Sequence, residues 1–257
     1  MFYGIKNNKI ISIIPFQYMS QNIPGPGCNM NDFEEKLLGC KCQNCDDDCK
    51  CTATFGKPYM NYKIQTDFIG PSVKPVFECN MNCSCSIQCP NRIVQSGITI
   101  KLQIFLTDMK GLGLQTLEKI SRGTFVCEYA GEIISLHEAK NRTKSQTEYE
   151  MNYILTVKEH CKNDVLRTYV DPSKYGNIGR YINHSCEPNL TMVPVRVDNM
   201  VPKICLFAVR DIEVLEELSF SYGTLNSQRK SSKICCCVSN NCTGFMPFDE
   251  ELHVISE

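Results

Sequence analysis

The residues in this chain best suited to chemistry are thiols. Cys40, Cys42, Cys45, Cys49 and Cys51 form one tight group, and Cys79, Cys83, Cys85 and Cys89 form a second after a spacer, which makes nine. Tetrahedral zinc takes four thiolates. Two separate sites would use eight thiols and orphan one, whereas three zincs joined by three bridging thiolates employ all nine. The arithmetic predicts a compact three-zinc cluster. Disulfides are the rival, but an odd count leaves a thiol over, and Cys-x-Cys neighbours point to opposite sides of an extended chain, which suits ligation better than mutual bridging. All-thiolate sites are closed, so the cluster is expected to be structural, standing in for hydrophobic core in a segment rich in Asp, Asn and Lys.

A third group, Cys235, Cys236, Cys237 and Cys242, could supply four ligands alone, yet three adjacent thiols are awkward around one tetrahedron. Cys235-x-Cys237-x4-Cys242 with one distant cysteine is the better geometry. Cys186, in Asn183-His184-Ser185-Cys186, is the candidate fourth ligand, and it would staple the C-terminal tail beside 183–186. Cys127, Cys161 and Cys205 are alternatives, but they lie in apolar strand-like runs where a small buried hydrophobe is the blander role.

The bulk of the chain limits what these thiols serve. With 257 residues, 42% of them hydrophobic and 21% charged, it is long enough to bury a real core. The formal net charge of -1 gives no overall basic field, so direct nucleic-acid binding by this chain alone is not expected. The apolar run Ile10 to Phe16 is short and holds Pro15, which makes it a poor signal peptide and far too short to span a bilayer. An intracellular protein without a membrane segment is the expectation. In that compartment thiols stay reduced, which favours metal over a secreted disulfide scaffold.

The elements that must position these residues are mostly strands. Ile98, Ile100, Leu102, Ile104 and Leu106 alternate with Thr99, Lys101, Gln103 and Phe105, the period of a strand. Shorter strand-like runs follow at Thr124 to Tyr129, Tyr153 to Val157, Thr168 to Asp171, Met192 to Val197 and Ile204 to Val209, each bounded by turn residues. The one good helix start is Ser135, with Glu138 three residues on as a capping box leading into Ala139 to Arg142. Before the first cysteines, the Asn-, Pro- and Gly-rich segment reads as a loosely structured lead-in. The predicted class is mainly β, with many short strands and few helices.

Four stretches together carry a family resemblance: Lys110-Gly111-Leu112-Gly113-Leu114, Glu128-Tyr129-Ala130-Gly131-Glu132, Gly179-Arg180-Tyr181-Ile182-Asn183-His184-Ser185-Cys186 and Glu217-Leu218-Ser219-Phe220-Ser221-Tyr222-Gly223. In this order, between the nine-cysteine segment and Cys-x-Cys-x4-Cys, they resemble a SET-domain lysine methyltransferase with pre-SET and post-SET segments, over roughly residues 38 to 248. The resemblance implies a SET-domain fold, β-clip-like with several small sheets, flanked by zinc-cluster segments. It divides the chain into a lead-in at 1–37, a pre-SET three-zinc segment at 38–97, a catalytic SET domain at 98–223 and a post-SET zinc segment with tail at 224–257. A doubly wound methyltransferase is disfavoured, because no Gly-x-Gly-x-x-Gly opens a helix.

By the same resemblance, S-adenosylmethionine is held by backbone at Lys110, Gly111, Leu112 and Gly113 with Tyr153, Arg180, Asn183 and His184, and Phe245 covers the adenine. Tyr222, Phe220 and Tyr153 are the implied catalytic residues. Tyr222 orients the substrate amine and lends its oxygen to the polarised methyl hydrogens; Phe220 occupies a product-size position where phenylalanine leaves room for di- or trimethyl product. Three zincs are implied in the pre-SET cluster and one in the post-SET site. The implied partner is the histone H3 tail or another lysine-containing protein, in the nucleus on chromosomes. Lysine 36 is placed ahead of lysine 9 and lysine 4. The peptide would lie as an added strand between residues 135–165 and the tail, where Glu148, Glu150, Glu159 and Asp164 could attract a basic segment or form a solvated face. Leu112 stands where the family has tryptophan and Ser221 where it has aspartate, which motivates one alternative: a catalytically weak or silent, zinc-stabilised module that binds peptide or chromatin.

Overall fold

The computed structural model describes residues 3–6, 9–12, 15–43, 45, 49–70, 74–146, 152–161, 164–223, 233–247 and 249–253. It is mainly β, with several small sheets and few short helices. Lys203–Ala208 is central. It pairs antiparallel with Phe125–Glu128 on one side and with Leu190–Arg196 on the other, and Leu190–Arg196 pairs in parallel with Val76–Phe77. The run Ile204 to Ala208 shows no polar alternation because both of its faces are covered. Ile204, Leu206 and Ala208 join a hydrophobic cluster with Tyr129, Ile182 and Phe220, whereas Cys205 and Phe207 join another with Tyr59, Phe68 and Val76. The first core lies beneath the candidate site, and the second anchors the cysteine-rich region.

A second four-stranded sheet runs Leu155–Cys161, Asp164–Asp171, Glu132–Ile134 and Ile23–Pro24. The helix Leu136–Ser145 packs beside it. Ser135 caps that helix by accepting from the Glu138 backbone N–H, but the expected box is only half made. The Ser135 N–H donates to the Pro26 carbonyl, and the Glu138 carboxylate accepts from Arg142 Nε at 2.7 Å. Arg142 also meets Glu132 at 2.8 Å and Asp171 at 2.7 Å, which pins the helix to the sheet.

Several expectations need correction. The segment before Cys40 is not loose throughout. Gln17–Tyr18 pairs in parallel with Tyr175–Gly176, Ile23–Pro24 adds an edge to the second sheet, and Met30–Glu34 is a short helix. The alternating run forms a strand only over Leu102–Leu106, paired with Leu112–Thr116, and Ile104 is 42% exposed because this two-stranded ladder has no sheet covering that position. Cys127 and Cys205 are buried as expected, but Cys161 is exposed at the end of its strand. Among the described residues no helix is long and apolar enough to cross a membrane.

Leu215 shows local backbone strain. Its φ is +66° and its side chain is 60% exposed. A left-handed conformation costs a non-glycine residue about 1–2 kcal/mol, and glycine's greater freedom in the unfolded chain returns about 0.5–1 kcal/mol of that. Leu215→Gly is therefore expected to stabilise the protein by about 0.5–1 kcal/mol, read as a higher midpoint in thermal unfolding.

Candidate active site and metal centres

Two chain segments far apart in sequence meet at the site. Asn183–His184 pairs in parallel with Ser219–Phe220, which places Asn183 opposite Ser219 and His184 opposite Phe220. Tyr222 follows directly. Its backbone N–H donates to His184 Nδ1 at 3.2 Å, and its phenol donates to the Ile182 carbonyl at 2.8 Å. Because Nδ1 accepts, the neutral His184 ring carries its proton on Nε2, which lies 3.5 Å from Cys186 Sγ. Burial holds the imidazole below its ordinary pKa and favours that neutral form. The ring therefore ties Tyr222 to the C-terminal thiols.

Aromatic rings wall the same place. Phe220 lies 4.9 Å from Tyr222 and 5.8 Å from Tyr129, centroid to centroid, and the Tyr129 phenol donates to the Tyr153 carbonyl at 2.7 Å. Burial, then the neighbouring Tyr153 and Glu217, push the Tyr222 phenol above its usual pKa, so it remains a neutral O–H.

On the other flank, Glu217 joins the glycine motif to the Asn183 strand. One carboxylate oxygen takes Lys110 Nζ at 2.7 Å and the other takes Asn183 Nδ2 at 3.0 Å. Asn183 Nδ2 also lies 3.2 Å from the Leu112 carbonyl. Gly113 has to be glycine here, since an added Cβ would come within 2.8 Å of Thr107 and 3.2 Å of the Asn183 amide. Glu217 was not singled out from sequence, although it opens one of the four family-like stretches. Its signal was a carboxylate beside an apolar strand.

Arg180 is 5% exposed and sits in the short 3-10 turn Ile178–Tyr181. Its guanidinium carbon lies 4.3 Å from the Phe16 ring and 4.4 Å from the Tyr153 ring. Nε and Nη2 are buried without a hydrogen-bond partner. Phe16 reaches this site from outside the four family-like stretches.

All eighteen cysteines are free thiols, so no disulfide framework exists. In the pre-SET region three sets of four have their sulfurs within 4.8 Å of one another: Cys40, Cys51, Cys79 and Cys83; Cys40, Cys42, Cys45 and Cys49; and Cys40, Cys45, Cys79 and Cys85. Cys89 joins through Cys79 at 3.9 Å. Sulfur separations of 3.7 Å for Cys40 and Cys45, 3.5 Å for Cys45 and Cys79 and 3.6 Å for Cys51 and Cys83 match the ~3.8 Å edge of a tetrahedron with ~2.3 Å zinc–sulfur bonds. Without metal, burial and then neighbouring thiols push Cys45 up, and Cys51 and then burial push Cys79 up. The donor set fits zinc, which stabilises the thiolates that this packing otherwise resists.

The C-terminal site has the composition expected for it. Cys186, Cys235, Cys237 and Cys242 have sulfurs within 4.8 Å of one another, and Cys236 is not among them. Phe245 bridges to Ile234 in the same short hairpin. Of the acidic residues proposed to attract a peptide, Glu148 and Glu150 lie outside the described residues. Glu159 is neutralised by Arg196 through two contacts of 2.8 Å, and Asp164 is exposed.

Comparison with known proteins agrees with this arrangement. Residues 111–223 match the SET domain family and residues 5–92 the Pre-SET motif family. A bovine (Bos taurus) protein, histone-lysine N-methyltransferase SETMAR, is 42% identical over 264 residues, covering 95% of this chain and 85% of that protein. The crystal structure of the methyltransferase domain of human SETMAR superposes with a TM-score of 0.82 at 41% identity, covering 93% of this chain and 91% of that one. Arabidopsis thaliana SUVH6, solved in complex with SAM, superposes with a TM-score of 0.75 at 27% identity, covering 91% of this chain and 51% of that one.

Proposed function

Because the chain belongs to the SET-domain histone-lysine methyltransferases, we propose that it transfers methyl groups from S-adenosylmethionine to histone H3 in the nucleus, with lysine 36 placed ahead of lysine 9 and lysine 4. The observation that carries the reading is the meeting of Tyr222, His184 and Asn183 with four free thiols immediately behind them. The donor fits the residues present. Gly111 has open space where a side chain would stand, and Arg180 offers two buried, unpartnered N–H groups to the donor's carboxylate. When bound, the donor supplies an electrophilic methyl group on a cationic sulfur.

The chain's own residues do the rest. Tyr153, Lys110, Leu112 and Asn183 orient the donor, and Phe245 shields its adenine. Tyr129, Phe220 and Tyr222 form a narrow aromatic slot for one amine, whose in-line approach is the main requirement. Lysine, with a pKa near 10.4, is neutral in only about four molecules in ten thousand at pH 7. An apolar slot favours the neutral amine.

In the pre-SET cluster the three sets of thiols overlap. Cys40, Cys45 and Cys79 recur among the sets and would be the shared ligands if three zincs bind, with the pairs Cys42 and Cys49, Cys51 and Cys83, and Cys85 and Cys89 completing them. Arg92 Nη2, 3.5 Å from Cys85 Sγ, and backbone N–H groups from Cys40, Asn80 and Asn91 offset the excess negative charge.

The test is incubation of the zinc-loaded protein with labelled S-adenosylmethionine and H3 peptides, each with one lysine replaced. Label lost only with lysine 36 replaced supports the assignment, and no transfer to any peptide or intact histone returns the chain to a silent binding module. Phe220→Tyr sharpens the reading. Phe220 is 1% exposed between two rings, so an added hydroxyl narrows the slot, and the product is expected to shift from di- and trimethyl toward monomethyl lysine by mass spectrometry.

A further inference from the structure

We propose that Phe16 is a positioning residue for the donor: with Tyr153 it clamps the Arg180 guanidinium, so that one edge of that cation is presented to a carboxylate. The inference rests on the donor reading above and assigns a role to a residue that precedes the first zinc-binding cysteine by more than twenty positions.

Rings from Phe16 and Tyr153 lie against the cation, with Tyr181 farther off at 5.5 Å. The guanidinium carbon is 4.3 Å from one ring centroid and 4.4 Å from the other, within the range where the negative face of an aromatic ring attracts a cation. Nε and Nη2, the two orphaned nitrogens, lie on the same edge of the guanidinium and make the side-on fork that matches a planar carboxylate. Arg180 is 95% removed from solvent, so water does not take that place readily.

Phe16 is itself held. Gln17 N–H donates to the Lys174 carbonyl and Met19 N–H to the Gly176 carbonyl, each at 2.7 Å, which fastens the backbone next to Phe16 to the turn that precedes the Arg180 segment. Its ring also meets Tyr181 edge-on, with centroids 6.1 Å apart. The clamp therefore spans two distant stretches of sequence joined by the Gln17–Tyr18 and Tyr175–Gly176 ladder. A cation held flat in this way loses little rotational freedom when a carboxylate docks.

The clamp acts on the amino-acid half of the donor and not on the adenosine half. That gives a readout separate from turnover and from general destabilisation. Calorimetric titration of the zinc-loaded full chain with S-adenosylhomocysteine and with 5′-methylthioadenosine, which lacks the amino-acid moiety, is the experiment. Phe16→Leu, which keeps apolar bulk and removes the π face, is expected to weaken S-adenosylhomocysteine about five- to tenfold and methylthioadenosine by less than about twofold. Phe16→Tyr retains the parent affinity for both. Phe16→Met replaces the leucine variant if that does not fold. Equal losses for the two ligands, an unchanged S-adenosylhomocysteine affinity, or failure of Phe16→Tyr to retain it overturns the clamp. Failure of the parent protein to bind S-adenosylhomocysteine overturns the donor reading instead.

Discussion

Replacing Tyr222 by phenylalanine is expected to lower kcat about a hundred- to a thousandfold while changing donor affinity by less than about twofold. The ring has neighbours on two sides, Phe220 at 4.9 Å and His184 at 5.5 Å, so it stays in place without its hydroxyl. The backbone N–H bond to His184 Nδ1 is also untouched. What disappears is one oxygen, fixed in direction by its bond to the Ile182 carbonyl. In the proposed reaction that oxygen is the acceptor where the methyl hydrogens become more positive, and an acceptor useful chiefly in the transition state acts on kcat rather than on binding. The substitution also leaves the buried Ile182 carbonyl short of a partner, at about 1–3 kcal/mol of stability. Thermal unfolding and S-adenosylhomocysteine titration separate the two effects. Parent-like kcat in a folded, donor-binding variant removes Tyr222 from the chemistry.

Much of this arrangement could be read in the sequence, because the thiols obey a stoichiometric constraint and the strands obey a periodic one. Nine thiols in two groups admit few zinc arrangements, and Cys186 stood out as a partner for Cys235, Cys237 and Cys242 because three adjacent thiols crowd one tetrahedron. The buried run Ile204 to Ala208 was legible as a strand even though its two faces serve two cores. What the sequence hid is tertiary. Phe16 and Ile23 carry no local signal that they join Arg180 and Glu132, since short parallel pairings of two residues leave no periodicity to detect. Ile104 misled for the complementary reason: its alternation is real, but nothing covers that position of the ladder. Glu159 shows the same limit for charge. It reads as a surface acid until Arg196, from another sheet, is seen to take both of its oxygens.

Cys186→Ser is expected to abolish methyl transfer and lower the zinc content from about four per chain to about three, leaving the pre-SET cluster intact. Of the four clustered C-terminal thiols, Cys186 alone comes from the segment matched by the SET family, so a metal held there would be the main tie between the tail and the site. Among the described residues, the ion pairs that join the tail to the second sheet are weak. Lys158 with Asp249 at 3.2 Å and Arg167 with Glu251 at 2.9 Å are partly exposed ion pairs, worth about 0–1 kcal/mol each, and Leu252 adds one buried side chain. A structural zinc in a peptide contributes on the order of 10 kcal/mol, so these contacts at 249–252 are a small substitute for it. Loss of residues 233–247 from the site removes Phe245 and the wall behind His184, whose Nε2 faces the Cys186 sulfur. A chelator strong enough to strip every zinc goes further, because the pre-SET thiols themselves form the cluster that the adjoining core would otherwise have to replace. Metal analysis, limited proteolysis of the tail and donor titration read the three consequences. Zinc content that stays near four in Cys186→Ser, with Cys236 as substitute ligand and transfer preserved, would show that the tail is closed by its own cysteines and that the slot does not depend on the metal bridge.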